Sequence, residues 1–195
     1  MALQQTPRTR HGTLILVVGP SGAGKDSVLD GARAALAHDA QFIFARRTIT
    51  RPASAGGENH IEATPDDFLA LQKTDAFCLT WQAHGLRYGI DRSCIDDIAS
   101  GNCVIANVSR SVIDSARRRF PSIRIINITA PADILARRLA LRGRETAEDI
   151  RRRLERATDD VPGGPDVITL HNAGTVAESA RTFVRIMRLS LLEAG

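Results

Sequence analysis

Four short apolar runs punctuate the chain, at Thr13–Val18, Cys103–Val108, Ile123–Thr129 and Val167–Leu170. Each is continuous instead of alternating and rich in β-branched residues, the pattern of strands covered on both faces in a parallel sheet. Segments with helical spacing lie between and after them, at Asp26–Ala37, Ser111–Arg119, Pro131–Leu141, Ile150–Thr158 and Thr175–Leu192. Pro131 sits in a first turn, where proline is tolerated because no intrahelical N–H bond is lost. A fifth strand is expected at Phe42–Ala45. Strands alternating with helices of this length predict βαβ units, and so an α/β fold with a central parallel sheet and helices on both faces.

Residues 46–100 break that rhythm. "RRTITRPASAGGENH", from Arg46 to His60, is polar and turn-rich, with too few large apolar side chains to be core. "TPDDF" then signals a short helix, with Thr64 as N-cap, Pro65 in the first position and Asp67 placed for a capping box. Phe77–Trp81 and Leu86–Ile90 read as two short strands around "QAHG". This stretch is expected to form a small insertion over the mouth of the sheet. A length of 195 residues suits one domain, 13–195, carrying such an insertion. Residues 1–12 are expected to be a disordered polar leader.

Composition adds limits. Hydrophobic content of 43% supports a substantial core, and aromatics at 4% mean that it is built from aliphatic side chains. The net charge of +4 reflects a basic complement that is almost all arginine, as in arginine-favouring genomes, so it says little about partners. Against that background Lys25 stands out, because Lys73 is the sole other lysine. Three cysteines without C-x-x-C or ligand-spaced histidines read as buried thiols, neither a metal site nor a disulfide frame. No export-type or membrane-spanning apolar segment is evident, so a cytoplasmic protein without membrane contact is expected.

The chemistry concentrates first in "GPSGAGKDS", directly after the first apolar run. Strand, glycine loop and helix in that order form a phosphate-binding loop over Gly19–Gly24: backbone N–H groups of Gly19, Ser21, Gly22, Ala23 and Gly24 surround phosphate oxygens at a positive helix end, with Pro20, which has no N–H, fixing the turn. Lys25 is the residue that reaches the β- and γ-phosphates, and is expected to be catalytic. The next position normally carries a hydroxyl for Mg²⁺, but here it is Asp26. A carboxylate beside polyphosphate is repulsive unless a cation lies between them, so Asp26 is expected at the metal, directly or through water. Ser27 is the alternative source of the hydroxyl, turned about 100° away around the helix. A site inactivated by Asp26 is the other alternative.

"ARRLALRGRETAEDIRRRLERA", Ala136–Ala157, is the second concentration. Arginines on two helical segments hinged at a glycine suit a lid, 138–153, closing over phosphates, since the guanidinium fork matches phosphoryl oxygens. Arg138 is expected on the donor phosphates, and Arg142 and Arg153 on the transferred group. A solvated helix face neutralised by Glu145, Glu148 and Glu155 is the plainer alternative.

From Leu14 to about Arg185 the chain resembles the guanylate kinase family, on "GPSGAGK", "TITRP…GGE", "WQAHGLRYG", the lid pattern and "DVITLHNAG". The resemblance implies a P-loop kinase fold using ATP and Mg²⁺, with residues 46–100 binding the acceptor. "GKDS", "AHGLRYGI" and "NVSR" further resemble the branch of that family that acts in phosphonate catabolism. That branch phosphorylates ribose 1,5-bisphosphate at its 1-phosphate with ATP, giving 5-phosphoribosyl 1-diphosphate. The acidic residues with which guanylate kinases read guanine are absent at the matching positions. Thr80 precedes Trp81, and the strand-end site reads Asn107-Val108-Ser109 followed by Arg110. Guanine offers N–H donors that carboxylates accept, whereas a sugar bisphosphate brings negative charge that they repel. Arg51 and Tyr88 match positions holding the acceptor phosphate, and Arg47 and Arg110 add charge beside them. A second family arginine falls near Ser54, His60 stands near a family tyrosine, and Asn172 matches a position near the donor base. His84 suits substrate orientation or local packing more than general base catalysis. The competing readings are a guanylate-type nucleoside monophosphate kinase and a non-catalytic binding module. Nucleic-acid binding has no support without stacked aromatics or a basic stripe outside the lid. Oligomeric state stays open.

Overall fold

A computed structural model describes residues 12–55, 58–141, 148 and 162–193 of the chain. Five parallel strands form the main sheet: β1 (Thr13–Val18), β2 (Phe42–Phe44), β7 (Cys103–Asn107), β8 (Ile123–Thr129) and β9 (Val167–His171), in the order β2-β7-β1-β8-β9. All six residues of β1 are buried. Its side chains alternate between two clusters. Leu14, Leu16 and Val18 join Val104, Ala106 and Ile125 on one face, and Ile15 and Val17 join Ile105, Ile126 and Ile128 on the other. This double burial is why the strand reads as an unbroken apolar run.

Helices α1 (Lys25–Ala35) and the last described helix, α6 (Val176–Glu193), cover the second face through Val28, Leu29, Ala32, Phe183 and Met187. They meet at Gly31, where an added Cβ would lie 2.8 Å from Ala180 Cβ. On the other face stand α3 (Ser93–Ala99) and α4 (Ile113–Arg119), the latter preceded by a 3₁₀ turn at Arg110–Val112. Between β8 and β9 comes α5 (Ala132–Leu141). The expected helix at Ile150–Thr158 and residues 1–11 of the expected leader lie outside the described residues, but its last residue is not disordered: Gly12 is buried and its N–H donates to Ile98 O at 3.1 Å.

A second sheet, ordered β4-β3-β6-β5, holds β3 (Arg47–Ile49), β4 (Ile61–Glu62), β5 (Phe77–Ala83) and β6 (Leu86–Asp91). Here the structure corrects the sequence reading of Arg46–His60 as too polar for core. Ile49 is fully buried on β3, paired through Arg47–Ile90 and Ile49–Tyr88, and His60 is buried beside it. One apolar side chain is enough, because Tyr88 and Ile90 of the neighbouring β6 bring theirs to the same place. Ile49, Cys78, Trp81, Tyr88, Ile90 and Cys94 belong to the same cluster as Leu14 and Leu16. The two sheets therefore share one core. The hairpin is longer than expected: Gln82 and Ala83 stay in β5, and His84 and Gly85 alone turn, both at positive φ. Helix α2 (Pro65–Lys73) starts as expected at Thr64, whose Oγ1 accepts from Asp67 N–H at 3.1 Å and donates to Asp67 Oδ2 at 2.7 Å. Cys78, Cys94 and Cys103 are buried free thiols, and burial pushes Cys103 up to about 12.

Replacing Gly31 with valine should lower stability by about 1–3 kcal/mol, because neither the α1 backbone nor Ala180 can yield the space. Urea unfolding of the pair would measure it, and an unchanged midpoint would show that the α1–α6 contact has slack.

Candidate active site

Strand order places β1 between β7 and β8, the point at which successive connections run to opposite sides of the sheet. Ligands of open α/β sheets bind outside the strand ends at such a point. The glycine loop leaves β1 there. Gly19 has φ 145, and a Cβ on it would collide with the Ile128 carbonyl. Gly24 caps α1 with φ 81, and a Cβ there would lie 2.5 Å from Asn172 Nδ2. The loop is thus packed against β8 and against the turn after β9, and glycine is required at both ends. Lys25 Nζ donates to Gly19 O at 2.7 Å and Pro20 O at 3.1 Å, folding back across the loop.

Behind the loop a buried network holds it. Asn172 Nδ2 donates to Ala23 O at 2.8 Å, while Asn172 Oδ1 accepts from Ser179 Oγ at 2.8 Å. Arg138 donates to the carbonyls of Gly22, Ala23 and Asn172 at 3.5, 3.5 and 3.2 Å. Asn172 is 1% exposed, with both ends of its amide engaged. The sequence reading set Asn172 at the donor base and Arg138 on donor phosphates; the structure sets both against the back of the loop.

In front of the loop lies a cleft of about 840 Å³. Gly19, Ser21, Gly22, Gly24, Lys25, Asp26 and Ser27 line one side, and Arg47, Arg51, Tyr88 and Arg110 the other. Pro20 and Ala23 do not line it; they contribute the carbonyls just described. Arg142 and Arg153 lie outside the described residues, as do Gly56 and Gly57. The far wall is a stack. The Arg47 guanidinium stands 5.3 Å from the centre of the Tyr88 ring, which in turn stacks on Trp81 at 5.2 Å and 6°. Trp81 and Tyr88 face each other across β5 and β6.

Arg47 Nε donates to Glu58 Oε2 at 2.6 Å, and its Nη2 pairs with Glu58 Oε1. Glu58 went unweighed in the sequence, although it stands in the "GGE" that carried the family resemblance. Arg51 Nε is buried without a hydrogen-bond partner among the described residues, and Arg51 Nη2 approaches His60 Nδ1 at 3.4 Å. His60 Nε2 lies 2.9 Å from Arg51 O and His60 Nδ1 3.0 Å from Glu58 O. His60 therefore braces the Arg51 turn from behind. His84 is exposed at the hairpin tip and lines the cleft.

Asp26 is exposed in the first turn of α1, where Asn107 Nδ2 donates to its Oδ1 at 3.1 Å. Its Oδ2 makes no hydrogen bond among the described residues. No cluster of three acidic, histidine or cysteine ligands occurs among those residues. A cation here would take one carboxylate oxygen from the protein and the rest from phosphates and water, as Mg²⁺ does in nucleotide sites, so the donor set fits Mg²⁺. No helix among the described residues is long and apolar enough to cross a membrane.

Asn172→Ala should cost about 1–3 kcal/mol of stability by stranding Ser179 Oγ and leaving Ala23 O only its 3.5 Å contact with Arg138, and should weaken ATP binding by loosening the loop. Thermal unfolding and calorimetry would check both; unchanged nucleotide affinity would separate Asn172 from loop geometry.

Comparison with known proteins agrees with this geometry. The chain is 44% identical to ribose 1,5-bisphosphate phosphokinase PhnN of Agrobacterium fabrum over 177 residues, 91% of this chain and 97% of that protein. It is also 44% identical over 177 residues to a bifunctional ribose 1,5-bisphosphokinase-thymidine phosphorylase of Cupriavidus pinatubonensis, of which it spans 29%. A crystal structure of guanylate kinase from Anaplasma phagocytophilum superposes with a TM-score of 0.67 at 17% identity, covering 94% of this chain and 88% of that one, a likeness of fold. No protein-family model matches the chain. Near-full-length identity at this level shows that the chain belongs to the ribose 1,5-bisphosphate phosphokinase family.

Proposed function

We propose that this cleft transfers the γ-phosphoryl group of ATP to the 1-phosphate of ribose 1,5-bisphosphate, giving 5-phosphoribosyl 1-diphosphate and ADP. The observation that carries the reading is that the phosphate-binding loop and Arg47, Arg51 and Arg110 line one cleft. At the two positions where guanylate kinases carry guanine-reading acids, Thr80 and Asn107 are neutral.

The acceptor oxygen belongs to a phosphate whose second pKa is about 6, so at neutral pH it is already largely ionised and needs no general base. Catalysis then rests on alignment and charge. The loop N–H groups hold the donor phosphates. Lys25 leaves its loop carbonyls to follow charge onto the bridging and γ oxygens. Arg51 and Tyr88 hold the acceptor phosphate, with Arg110 beside them. Arg47 keeps its partner Glu58 and closes the wall over Tyr88. Arg138 and Asn172 keep the loop in shape, and the resemblance of the lid pattern assigns Arg142 and Arg153 to the charge of the transferred group. Mg²⁺, when bound with ATP, supplies neutralisation of the phosphate oxygens near Asp26. A reaction that consumes ATP and a small phosphorylated sugar fits the cytoplasm.

An acceptor screen with ATP, read by product mass, tests the assignment. Ribose 1,5-bisphosphate should turn over faster than GMP or any other nucleoside monophosphate; faster turnover of GMP would refute it. Lys25→Ala should lower kcat at least about a hundredfold with an unchanged melting temperature, since the ammonium acts on developing charge. Near-normal turnover would remove Lys25 from the mechanism.

A further inference from the structure

Two departures from the guanylate kinase pattern, a carboxylate where the loop expects a hydroxyl and an amide where the strand end expects an acid, prove to be one contact. Asn107 Nδ2 donates to Asp26 Oδ1 at 3.1 Å, across 81 residues of sequence. The donor stands on a fixed support. Asn107 ends β7 in register with Val17 of β1, and the next residue's N–H, Val108, donates to Val17 O at 3.0 Å. The acceptor does not: Asp26 is exposed in the first turn of α1. Asp26 and Asn107 line both the main cleft and a neighbouring cavity of about 420 Å³, on whose wall Arg33 stands paired with Asp30. Repulsion from bound phosphates would turn a loose carboxylate out of the cleft toward that cavity.

We propose that Asn107 is a positioning residue that acts through Asp26: its amide holds Oδ1 at the β7 end, so that Oδ2 stays toward the metal–nucleotide. It does not read the acceptor, although its position corresponds to one with which guanylate kinases recognise their base. An aspartate at 107 would set two carboxylates within hydrogen-bond distance and push them apart, so the neutral amide is what Asp26 requires of its neighbour. The same substitution that removes a guanine-reading acid thus supports the altered loop. The inference rests on the reading of the cleft as a kinase site with Asp26 at the metal.

A double-mutant cycle on the full chain tests it, using Asn107→Ala, Asp26→Ala and the double variant. One readout is Mn²⁺ affinity in the presence of β,γ-imido-ATP, followed by electron paramagnetic resonance, which needs no turnover. The other is the acceptor KM. A lost hydrogen bond to a charged group at an exposed site should weaken Mn²⁺ by about threefold to tenfold in Asn107→Ala. The acceptor KM should stay within about twofold of wild type, and adding Asn107→Ala to Asp26→Ala should produce no further loss. Asn107→Ser, which also lacks the amide, should behave as Asn107→Ala and replaces it if that variant does not fold. A raised acceptor KM with unchanged Mn²⁺ affinity would overturn the inference and make Asn107 an acceptor contact. Additive losses in the double variant, or no loss in Asp26→Ala alone, would overturn it as well. Wild-type protein that binds Mn²⁺ and nucleotide but prefers GMP would end the proposed acceptor assignment and leave this inference standing.

Discussion

Burial of β1 on both faces is the constraint on which the remaining structure depends. Once Leu14, Leu16 and Val18 must meet one layer and Ile15 and Val17 the other, the strand can only be central, with β7 and β8 beside it. A central strand delivers its following loop to the middle of the sheet edge, and the glycine loop is what emerges there. Gly19 lies against the Ile128 carbonyl and Gly24 against Asn172, so the cradle is shaped by the strands beneath it before any phosphate arrives. The costs of ordering a catalytic loop are thereby met largely during folding, which is what preorganisation means physically.

The cleft balances charge by pairing. Arg47 is held by Glu58 and by the Tyr88 ring, Asp26 by the Asn107 amide, and the Arg51 turn by His60. Each pairing fixes a side chain that would otherwise respond to its ligand by moving. In sequence the arginines look like one pool of positive charge awaiting phosphate. In space they divide: Arg51 and Arg110 line the cleft, Arg47 belongs to its wall, and Arg138 points to the loop's back.

How much of this the sequence discloses follows from how far each signal is local. The parallel strands are legible because double burial forces uninterrupted apolar residues, and β8 appears at the expected bounds, Ile123–Thr129. Strand β3 is hidden because its three residues contribute a single deeply buried apolar side chain, Ile49, and the rest of its stability comes from partners forty residues away on β6. The short helix α3, "SCIDDIA", escapes for the same reason: among its residues Cys94 is the buried one. At the site, the loop was legible as a motif, since adjacent residues build it. The Asp26–Asn107 contact was not, because each residue was visible as an exception while nothing in a linear reading joins 26 to 107. Asn172 was noticed for its likeness to a family position, but its burial beneath Ala23 depends on the turn after β9 folding back under β1's loop.

Trp81 is the single tryptophan in the chain, and it lies against Tyr88 beneath the Arg47 guanidinium in the wall facing the phosphate loop. Its indole is 8% exposed and belongs to the core that joins the two sheets. One fluorophore thus stands where occupancy of the cleft and integrity of the shared core both alter its surroundings, with no second indole to dilute the signal. Emission from the unmodified protein can serve as an optical gauge of that wall, free of attached dyes.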